Sequence, residues 1–366
     1  MEITTLMMFT SMSVTGYGEV VDGQPSWAQR EMHVYTNLVR VDPESWSDEY
    51  PCSLSEFTSG ERTSQAPLYY HEGLTSIAQL HSDDMDDGGF IAHESSDGTD
   101  FGTRVWPWYE GTSIAENVAL GYADNWDAIF QGWMCSAGHR SNIMDGELED
   151  IGTGLTGRSY TQDFGAGANT DHVEVAMGIH LPQSPASDVQ FLATYDDDQD
   201  PLGLWVETET DCVEMDRIAG SANRGAYSVD ASAESGCESY RFTWTTGAGT
   251  QGNLPATGAY VYGEDCPPWT EAEPAGCAVD EDSSGSEDQN GDDDDDSSSG
   301  DTDDNSTLGN GGSAGSDCPG GTSTCFDEDD AELEGDRGCS TTSTSESAPL
   351  LALTFGLLIG PIRRRA

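Results

Sequence analysis

The sequence contains no lysine. Its 13 basic residues are therefore all arginine, and against 68 acidic residues they leave a formal net charge of −55. This balance argues against a nucleic-acid partner, because binding to the phosphate backbone requires clustered cations. It argues equally against electrostatic docking on anionic lipid, which depends on runs of basic residues near the surface. We therefore expect partners other than nucleic acids and anionic membrane surfaces.

Short motifs for metal binding and nucleophilic catalysis are also missing. None of the 9 cysteines has CxxC spacing, which makes a zinc ribbon unexpected. The sequence has no HExxH motif and no visible Ser/His/Asp or Cys/His nucleophile set. A metal or catalytic site would have to be assembled from residues that are distant in sequence.

The acidic residues are concentrated late in the chain. Residues 278–337 hold 21 of the 68, including the run Asp292–Asp296, and they include a single aromatic residue, Phe326. Such a segment cannot bury enough apolar surface to offset the entropy lost on ordering. We predict an acidic Ser/Gly/Asp low-complexity stalk over residues 266–338. A calcium-binding tract is disfavoured, because the run lacks the glycine and terminal glutamate of an EF-hand loop.

The two ends of the chain carry different signals. Residues 1–26 are a possible degraded signal or leader, since the start is mildly apolar but has no positive n-region. At the other end Cys339 precedes a Ser/Thr spacer, an apolar run and the arginines 363–365. The run is short for a membrane span, which needs ~20 residues, and its basic flank favours a cytoplasmic end.

This C-terminal order resembles the MYXO-CTERM sorting tail of myxobacterial surface proteins. The resemblance implies processing and lipid anchoring at Cys339, with residues 339–366 as the sorting or anchor tail. A plain single-span anchor is the alternative. Both place the rest of the chain outside the cytoplasm, at the cell surface, and leave the tail as its contact with the membrane.

The remaining eight cysteines are an even set, which in an exported chain indicates disulfides. The simplest pairing joins sequence neighbours among the last six and leaves the first two for each other, although the sequence does not determine the connectivity. The candidates are Cys52, Cys135, Cys212, Cys237, Cys266, Cys277, Cys318 and Cys325.

Hydrophobic periodicity predicts an α+β fold in the first half of the chain. Apolar residues recur at helical spacing in three segments, and five short runs have strand character. The helices are expected at 27–39, 73–85 and 125–134, and the strands at 90–92, 114–120, 151–155, 159–164 and 173–179. Over residues 188–265 short alternating runs separated by glycine, proline and asparagine predict a small β-sandwich-like domain.

Three residues could form a site. His93, Glu116 and His139 offer two imidazoles and a carboxylate, a reasonable ligand set for zinc or a similar divalent cation. Their distance in sequence leaves another interpretation open, in which the histidines are structural and Glu116 braces its turn. His81 is expected to pack, and Arg140 to pair with nearby acids.

The order of several motifs resembles the bacterial branch of the CAP superfamily, also called SCP-like, over residues 27–183. The resemblance implies an α-β-α sandwich whose cleft is lined by His93, Glu116 and His139 and can hold a divalent cation. Ala115 replaces the usual glycine, and Ser136 stands near the place of a fourth, acidic residue, so weaker metal binding is expected. The motifs are Ala92-His-Glu-Ser-Ser-Asp-Gly98, Ala115-Glu-Asn-Val-Ala-Leu-Gly-Tyr122, Gly138-His-Arg-Ser-Asn-Ile-Met144 and Tyr160-Thr-Gln-Asp-Phe164.

Three functions are compatible with this sequence. The first is a secreted, surface-anchored binding module for an extracellular lipid, glycan or protein, without a catalytic reaction. The second is a metal-dependent, protease-like hydrolase, in which a cation polarises water and Glu116 or a histidine acts as base. The third is a purely structural envelope protein. We favour the binding module.

Overall fold

The computed structural model describes residues 25–168, 172–233 and 236–277. The predicted leader before residue 25, the anchor tail with Cys339, and most of the stalk with Cys318 and Cys325 lie outside these residues. Within the described ranges no helix is both long and apolar enough to cross a membrane.

Two long helices form where the periodicity predicts them. Helix α1 (Trp27–Val41) begins with a capping box, in which Ser26 and Gln29 each bond to the other's backbone N–H. It ends at Asp42, before Pro43. Helix α2 (Glu72–Gly88) ends at Gly89, whose φ of 63° is the left-handed conformation that glycine adopts without steric cost. The short helices are α3 (Phe101–Val105) and α4 (Ala137–Ile143).

The third predicted helix is helical but not α-helical. It consists of a π-helical segment, Asp127–Gly132, followed by a 3₁₀ turn, Trp133–Cys135. Its aromatic side chains belong to the core as expected: the rings of Trp126 and Phe130 stack with centroids 3.9 Å apart, and Phe130 is fully buried.

The first sheet lies between α1 and α2. On one face α1 touches it where Thr153 Oγ1 donates to the backbone oxygen of Gln29 over 3.0 Å. On the other face α2 passes so close that a Cβ on Gly154 would lie 2.3 Å from the Ala78 backbone. The strand order is β1-β3-β4-β2, with β1 parallel to β3 and the rest antiparallel. The strands are β1 (Tyr69–Tyr70), β2 (Ser113–Leu120), β3 (Asp150–Thr156) and β4 (Ser159–Ala166).

Two further sheets form the predicted sandwich, with orders β5-β6-β10-β9 and β14-β13-β11-β7-β8, and β12 beside β11. Aromatic side chains fill the space between them; the rings of Phe191 and Tyr240, for example, lie 4.9 Å apart. The strands are β5 (Val175–Leu181), β6 (Asp188–Asp196), β7 (Gly203–Thr208), β8 (Cys212–Glu214), β9 (Asp216–Gly220), β10 (Arg224–Ser232), β11 (Glu238–Thr245), β12 (Gln251–Leu254), β13 (Ala259–Tyr262) and β14 (Trp269–Thr270).

The predicted boundary between residues 183 and 188 does not separate two cores. It falls between β5 and β6, which pair as antiparallel neighbours. Helix α1 also packs against both strands, and Asn37 Nδ2 on α1 donates to Thr194 Oγ1 on β6 over 3.3 Å. Because α1 is covered by sheets on two sides, polar residues along it are buried too, among them Arg30 and Arg40.

The predicted start of the stalk at residue 266 is wrong, because the folded region continues to Cys277. Strand β14 pairs with β13, and the backbone N–H of Gly276 donates to the Thr208 oxygen over 2.9 Å. These bonds hold a segment whose composition alone does not predict order.

One disulfide follows the predicted pairing and two do not. Cys52–Cys135 forms as expected. The later cysteines are nested rather than sequential, as Cys212–Cys277 and Cys237–Cys266. Strand pairing explains this: β11 and β13 place Glu238 opposite Tyr262, which brings the cysteines just outside these strands together.

Candidate functional site

Glu116 is the centre of the site. It lies on β2 with its side chain fully buried. His93 Nδ1 lies 2.8 Å from Oε1, and because an ionised carboxylate only accepts, this nitrogen carries the hydrogen. Arg104 Nη2 donates to Oε2, and His81 Nε2 lies 4.0 Å from the same oxygen. We refer to these four residues together with Asp163 as the Glu116 site.

The loop that carries His93 is held by side chains rather than by a sheet. His81 Nε2 donates to the Ala92 oxygen over 2.9 Å, and Arg104 Nη1 donates to the His93 oxygen over 2.7 Å. The predicted buried strand at 90–92 is therefore wrong: the segment has no strand structure, and Ile91 is 43% exposed. The Ala92 carbonyl accepts from an imidazole and the following His93 carbonyl accepts from a guanidinium, in place of a neighbouring strand.

Local structure positions Arg104. Helix α3 begins at Asp100, whose carboxylate accepts the Thr103 backbone N–H over 3.0 Å. This cap starts the helix one turn before Arg104, and its guanidinium then reaches both the His93 loop and Glu116. One side chain thus joins the loop to the sheet.

The charges at the site are unevenly distributed. Burial opposes ionisation of Glu116, but the hydrogen bond from His93 and the positive charge of Arg104 outweigh it and lower the pKa of Glu116. Burial lowers the pKa of His81, which is therefore neutral at pH 7. Burial and the adjacent Glu116 carboxylate raise the pKa of Asp163 well above its usual range. Glu116 is thus an ionised carboxylate held by specific donors.

His139 joins the site region through α4. Asn117 Nδ2 on β2 donates to the His139 backbone oxygen over 3.1 Å. Asn142 Nδ2 donates to the Glu116 backbone oxygen over 3.2 Å. These bonds fasten α4 across the strand that carries Glu116. The structure therefore brings His93 and Glu116 into direct contact and links His139 to the same strand through its backbone.

The predicted cation site is not assembled by these contacts. Among residues 25–168, 172–233 and 236–277, no group of three or more His, Cys, Asp or Glu side chains is placed to hold an ion. Arg104 already pairs with Glu116 Oε2. Its guanidinium lies where a metal ion would have to approach that oxygen. The residues present do not fit a metal as they stand, and zinc binding stays a prediction.

Three residues of the site were not assigned to it from the sequence: His81, which was expected to pack, Arg104 and Asp163. Arg104 lies between the first two quoted motifs, and Asp163 lies within the Tyr160–Phe164 motif. An aspartate in a strand that is buried along its whole length is the signal that could have identified Asp163. Arg140 pairs with an acid as predicted, its Nε lying 3.1 Å from Glu61 Oε1.

A pocket of about 400 Å³ lies away from this chemistry. It is lined by residues that include Glu61, Ser141 and Met144, and by none of the Glu116 site. The Glu116 site, unlike this pocket, holds the fixed charged groups, and hydrogen-bonded polar side chains determine what a surface recognises.

Similar proteins are bacterial. Over 134 residues the chain is 32% identical to the "Uncharacterized protein YkwD" of Bacillus subtilis (strain 168), covering 35% of this chain and 51% of that protein. Over 100 residues it is 28% identical to the "Uncharacterized membrane protein YlbC" of the same organism, covering 27% and 29%. The chain thus spans 51% and 29% of the length of these two relatives.

Among solved structures, the chain is similar to an extracellular protein containing a SCP domain from Bacillus anthracis str. Ames. The identity is 28%, the match covers 28% of this chain and 34% of that one, and the TM-score is 0.27. Residues 35–166 match the model of CAP, the Cysteine-rich secretory protein family. This match includes every residue of the Glu116 site and ends at the last residue of β4. Residues 35–166 are therefore similar to the CAP family, and they lie within an α+β fold.

Proposed function

We propose that the chain is a secreted bacterial surface protein whose Glu116 site binds an extracellular lipid, glycan or protein. One observation carries this proposal: the His93 side chain is 41% exposed although its Nδ1 is bonded to the fully buried Glu116. An imidazole that is both accessible and fixed in orientation can recognise a ligand without first being ordered, which reduces the entropic cost of binding.

Location outside the cytoplasm is supported by the three disulfides of the described residues. Disulfides persist in oxidising compartments and are rare in the cytosol. The CAP domain match adds support, since it is a match to a family of secretory proteins by description. Anchoring through Cys339 remains part of the proposal.

Uncharged probes test the binding proposal, because the net charge of −55 would repel anionic ones. Wild type and His93→Ala are compared on arrays of neutral glycans and on phosphatidylcholine vesicles. The control is His172→Ala: this histidine is also partly exposed, at 34%, and also lies beside a fully buried acid, Asp150, at 3.5 Å. We expect at least one probe to bind wild type and His172→Ala, and to bind His93→Ala tenfold more weakly or worse. Equal loss in both variants, or no binding to any probe, would favour the structural envelope protein.

The alternative, a metal-dependent hydrolase, is tested on the same proteins by calorimetric titration with zinc. Zinc binding that both His93→Ala and His139→Ala abolish would support that alternative. Absence of zinc binding to wild type would exclude the metal-dependent hydrolase.

A further inference from the structure

Two buried carboxamides lie on the face of the first sheet that is opposite to Glu116. Neighbouring residues of a strand point to opposite faces, so Asn117 faces α1, whereas Glu116 faces α2, where it lies beside His81. Asn117 on β2 and Gln162 on β4 are direct partners in the antiparallel pair, which places their side chains next to each other. Both are fully buried. Because buried carboxamides need hydrogen-bond partners, the partners of these two determine what β2 is attached to.

The hydrogen bonds of these carboxamides run in one direction from α4 to α1. Asn142 Nδ2 on α4 donates to Asn117 Oδ1 over 3.0 Å, and Asn117 Nδ2 donates to Gln162 Oε1 over 3.1 Å. Gln162 Nε2 then donates to Thr36 Oγ1 on α1 over 2.7 Å, and that hydroxyl donates to the Met32 oxygen over 2.7 Å. Each amide carries its donor and its acceptor on different atoms, so its neighbours fix its orientation. We refer to Thr36, Gln162, Asn117 and Asn142 as the Asn117 network.

The same two asparagines also bond to the backbone beside the candidate site. Asn117 Nδ2 donates to the His139 oxygen over 3.1 Å, and Asn142 Nδ2 donates to the Glu116 oxygen over 3.2 Å. Helix α4 has only 7 residues. Helices shorter than about 12 residues are marginal on their own, so the position of α4 depends on tertiary contacts such as these.

We propose that Asn117 is a positioning residue for His139, and that its carboxamide is itself held in place from α1 through Gln162 and Thr36. Because Asn117 is fully buried, it touches no ligand. It fixes where the backbone of His139 lies relative to the strand that carries Glu116. The inference rests on the proposed function only for the use of His139 as a cleft residue.

Asn117→Asp tests the proposal because it keeps the shape of the side chain and changes its donors. The amide donates to both Gln162 Oε1 and the His139 oxygen, whereas a carboxyl group offers one donor at most, and only when it is protonated. Asn37→Asp is the matched control. Asn37 is also fully buried and also donates two hydrogen bonds, to the Leu68 oxygen and to Thr194 Oγ1, neither of which lies on α4.

Native-state hydrogen exchange compares α4 with β3, a strand with neighbours on both sides whose amides report opening of the whole sheet. In Asn117→Asp we expect the exchange rates of the α4 amides, divided by those of the β3 amides, to rise about tenfold or more. In Asn37→Asp this ratio should stay level or fall, because a general loss of stability speeds exchange in β3 as well. A ratio that does not rise in Asn117→Asp, or that rises equally in the two variants, overturns the proposal.

The dependence on α1 is tested by Gln162→Leu, which removes the acceptor that orients Asn117. The α4 to β3 ratio should rise in this variant too, and a ratio equal to that of wild type would overturn the dependence on α1. A measurement on wild type needs no variant to fold. In D₂O the side-chain NH₂ signals of Asn117 and Gln162 should outlast the signal of the exposed Gln131 about 100-fold or more. Equal lifetimes would overturn the network.

Imidazole NMR at constant pH separates positioning from general destabilisation. The His139 ring signals should shift in Asn117→Asp and stay at their wild-type positions in Asn37→Asp. His139 signals that are the same in wild type and Asn117→Asp would overturn the positioning role. Because no ligand enters any of these measurements, failure of the ligand-binding proposal would leave their results unaffected.

Discussion

At the scale of single residues, Arg104 joins the parts of the site. Its Nη1 bonds to the His93 backbone oxygen, and its Nη2 bonds to Glu116. Because Glu116 is fully buried, the stability of its ionised form depends on this guanidinium. An exposed acid would depend less on its partner, since water also stabilises its charge. Removal of one member of a buried ion pair leaves the other desolvated and uncompensated.

Arg104→Met should therefore lower the free energy of unfolding by about 3–5 kcal/mol. Without Arg104 the pKa of Glu116 rises, and a raised carboxyl pKa means that the loss increases as pH rises above ~4. Urea denaturation at pH 5 and pH 8 measures both effects. Arg224→Met is the matched control, since Arg224 pairs with Asp196 but is 38% exposed, and it should cost less than ~1 kcal/mol. Similar losses in the two variants, or a failure of Glu116→Gln to recover stability in the Arg104→Met background, would contradict the buried-pair interpretation.

At the scale of elements, the site depends on how closely α2 lies on the first sheet. Gly152 and Gly154 on β3 face the α2 backbone, which allows His81 on that helix to reach Glu116 and the His93 loop. Side chains at these two positions would keep the helix away from the sheet. A close backbone approach of this kind requires glycine.

Gly154→Ala should destabilise the domain by about 1–3 kcal/mol, because its Cβ would lie 2.3 Å from the Ala78 backbone, which cannot rotate away as a flexible side chain could. Chemical denaturation measures the loss. Gly60→Ala is the control: its Cβ would have Thr58 Oγ1 at 3.9 Å as nearest neighbour, and the change should stay within ~0.5 kcal/mol. Equal effects at the two glycines would show that α2 does not rest on the sheet as described.

At the scale of the whole molecule, one hydrophobic cluster joins residues on both sides of the end of the CAP match, among them Leu38, Phe164 and Leu192. Helix α1 packs against β5, β6 and β10 as well as against the first sheet. The CAP match ends at residue 166, yet β5, β6 and β10 beyond it cover α1. Removal of the later strands would expose apolar surface of α1 and an unpaired edge of β5.

A chain that ends at residue 183 should therefore aggregate or lose its cooperative thermal transition, whereas a chain that ends at residue 277 should unfold like the full-length protein. Circular dichroism melting and size-exclusion chromatography compare the three lengths. If the chain ending at residue 183 is monomeric and melts at the full-length temperature, that region folds independently of the later strands. The inference of a shared core is then wrong.

Local features of this protein could be predicted from sequence because they depend on neighbouring residues. Side-chain periodicity predicts helices α1 and α2 and strands β2 to β5. Gly89 ends α2 because its backbone adopts the left-handed conformation. The order of motifs singled out His93 and Glu116 as candidate cleft residues, and the structure brings them together through a 2.8 Å hydrogen bond that the sequence did not predict. The Cys52–Cys135 disulfide was expected by elimination among the cysteines and is also confirmed.

The remaining features were decided by tertiary structure, because they depend on which distant groups meet in the interior. Residues 90–92 have a strand-like sequence but no strand structure: His81 bonds to the Ala92 carbonyl, and Arg104 bonds to the carbonyl of the next residue, His93. Strand pairing of the β-rich region nested the later disulfides. By itself the sequence determined an acidic, disulfide-bonded α+β chain and singled out His93, Glu116 and His139 as candidate cleft residues. Only the fold placed Asp163 directly opposite Glu116, because the pairing of β2 with β4 decides which of their residues face each other.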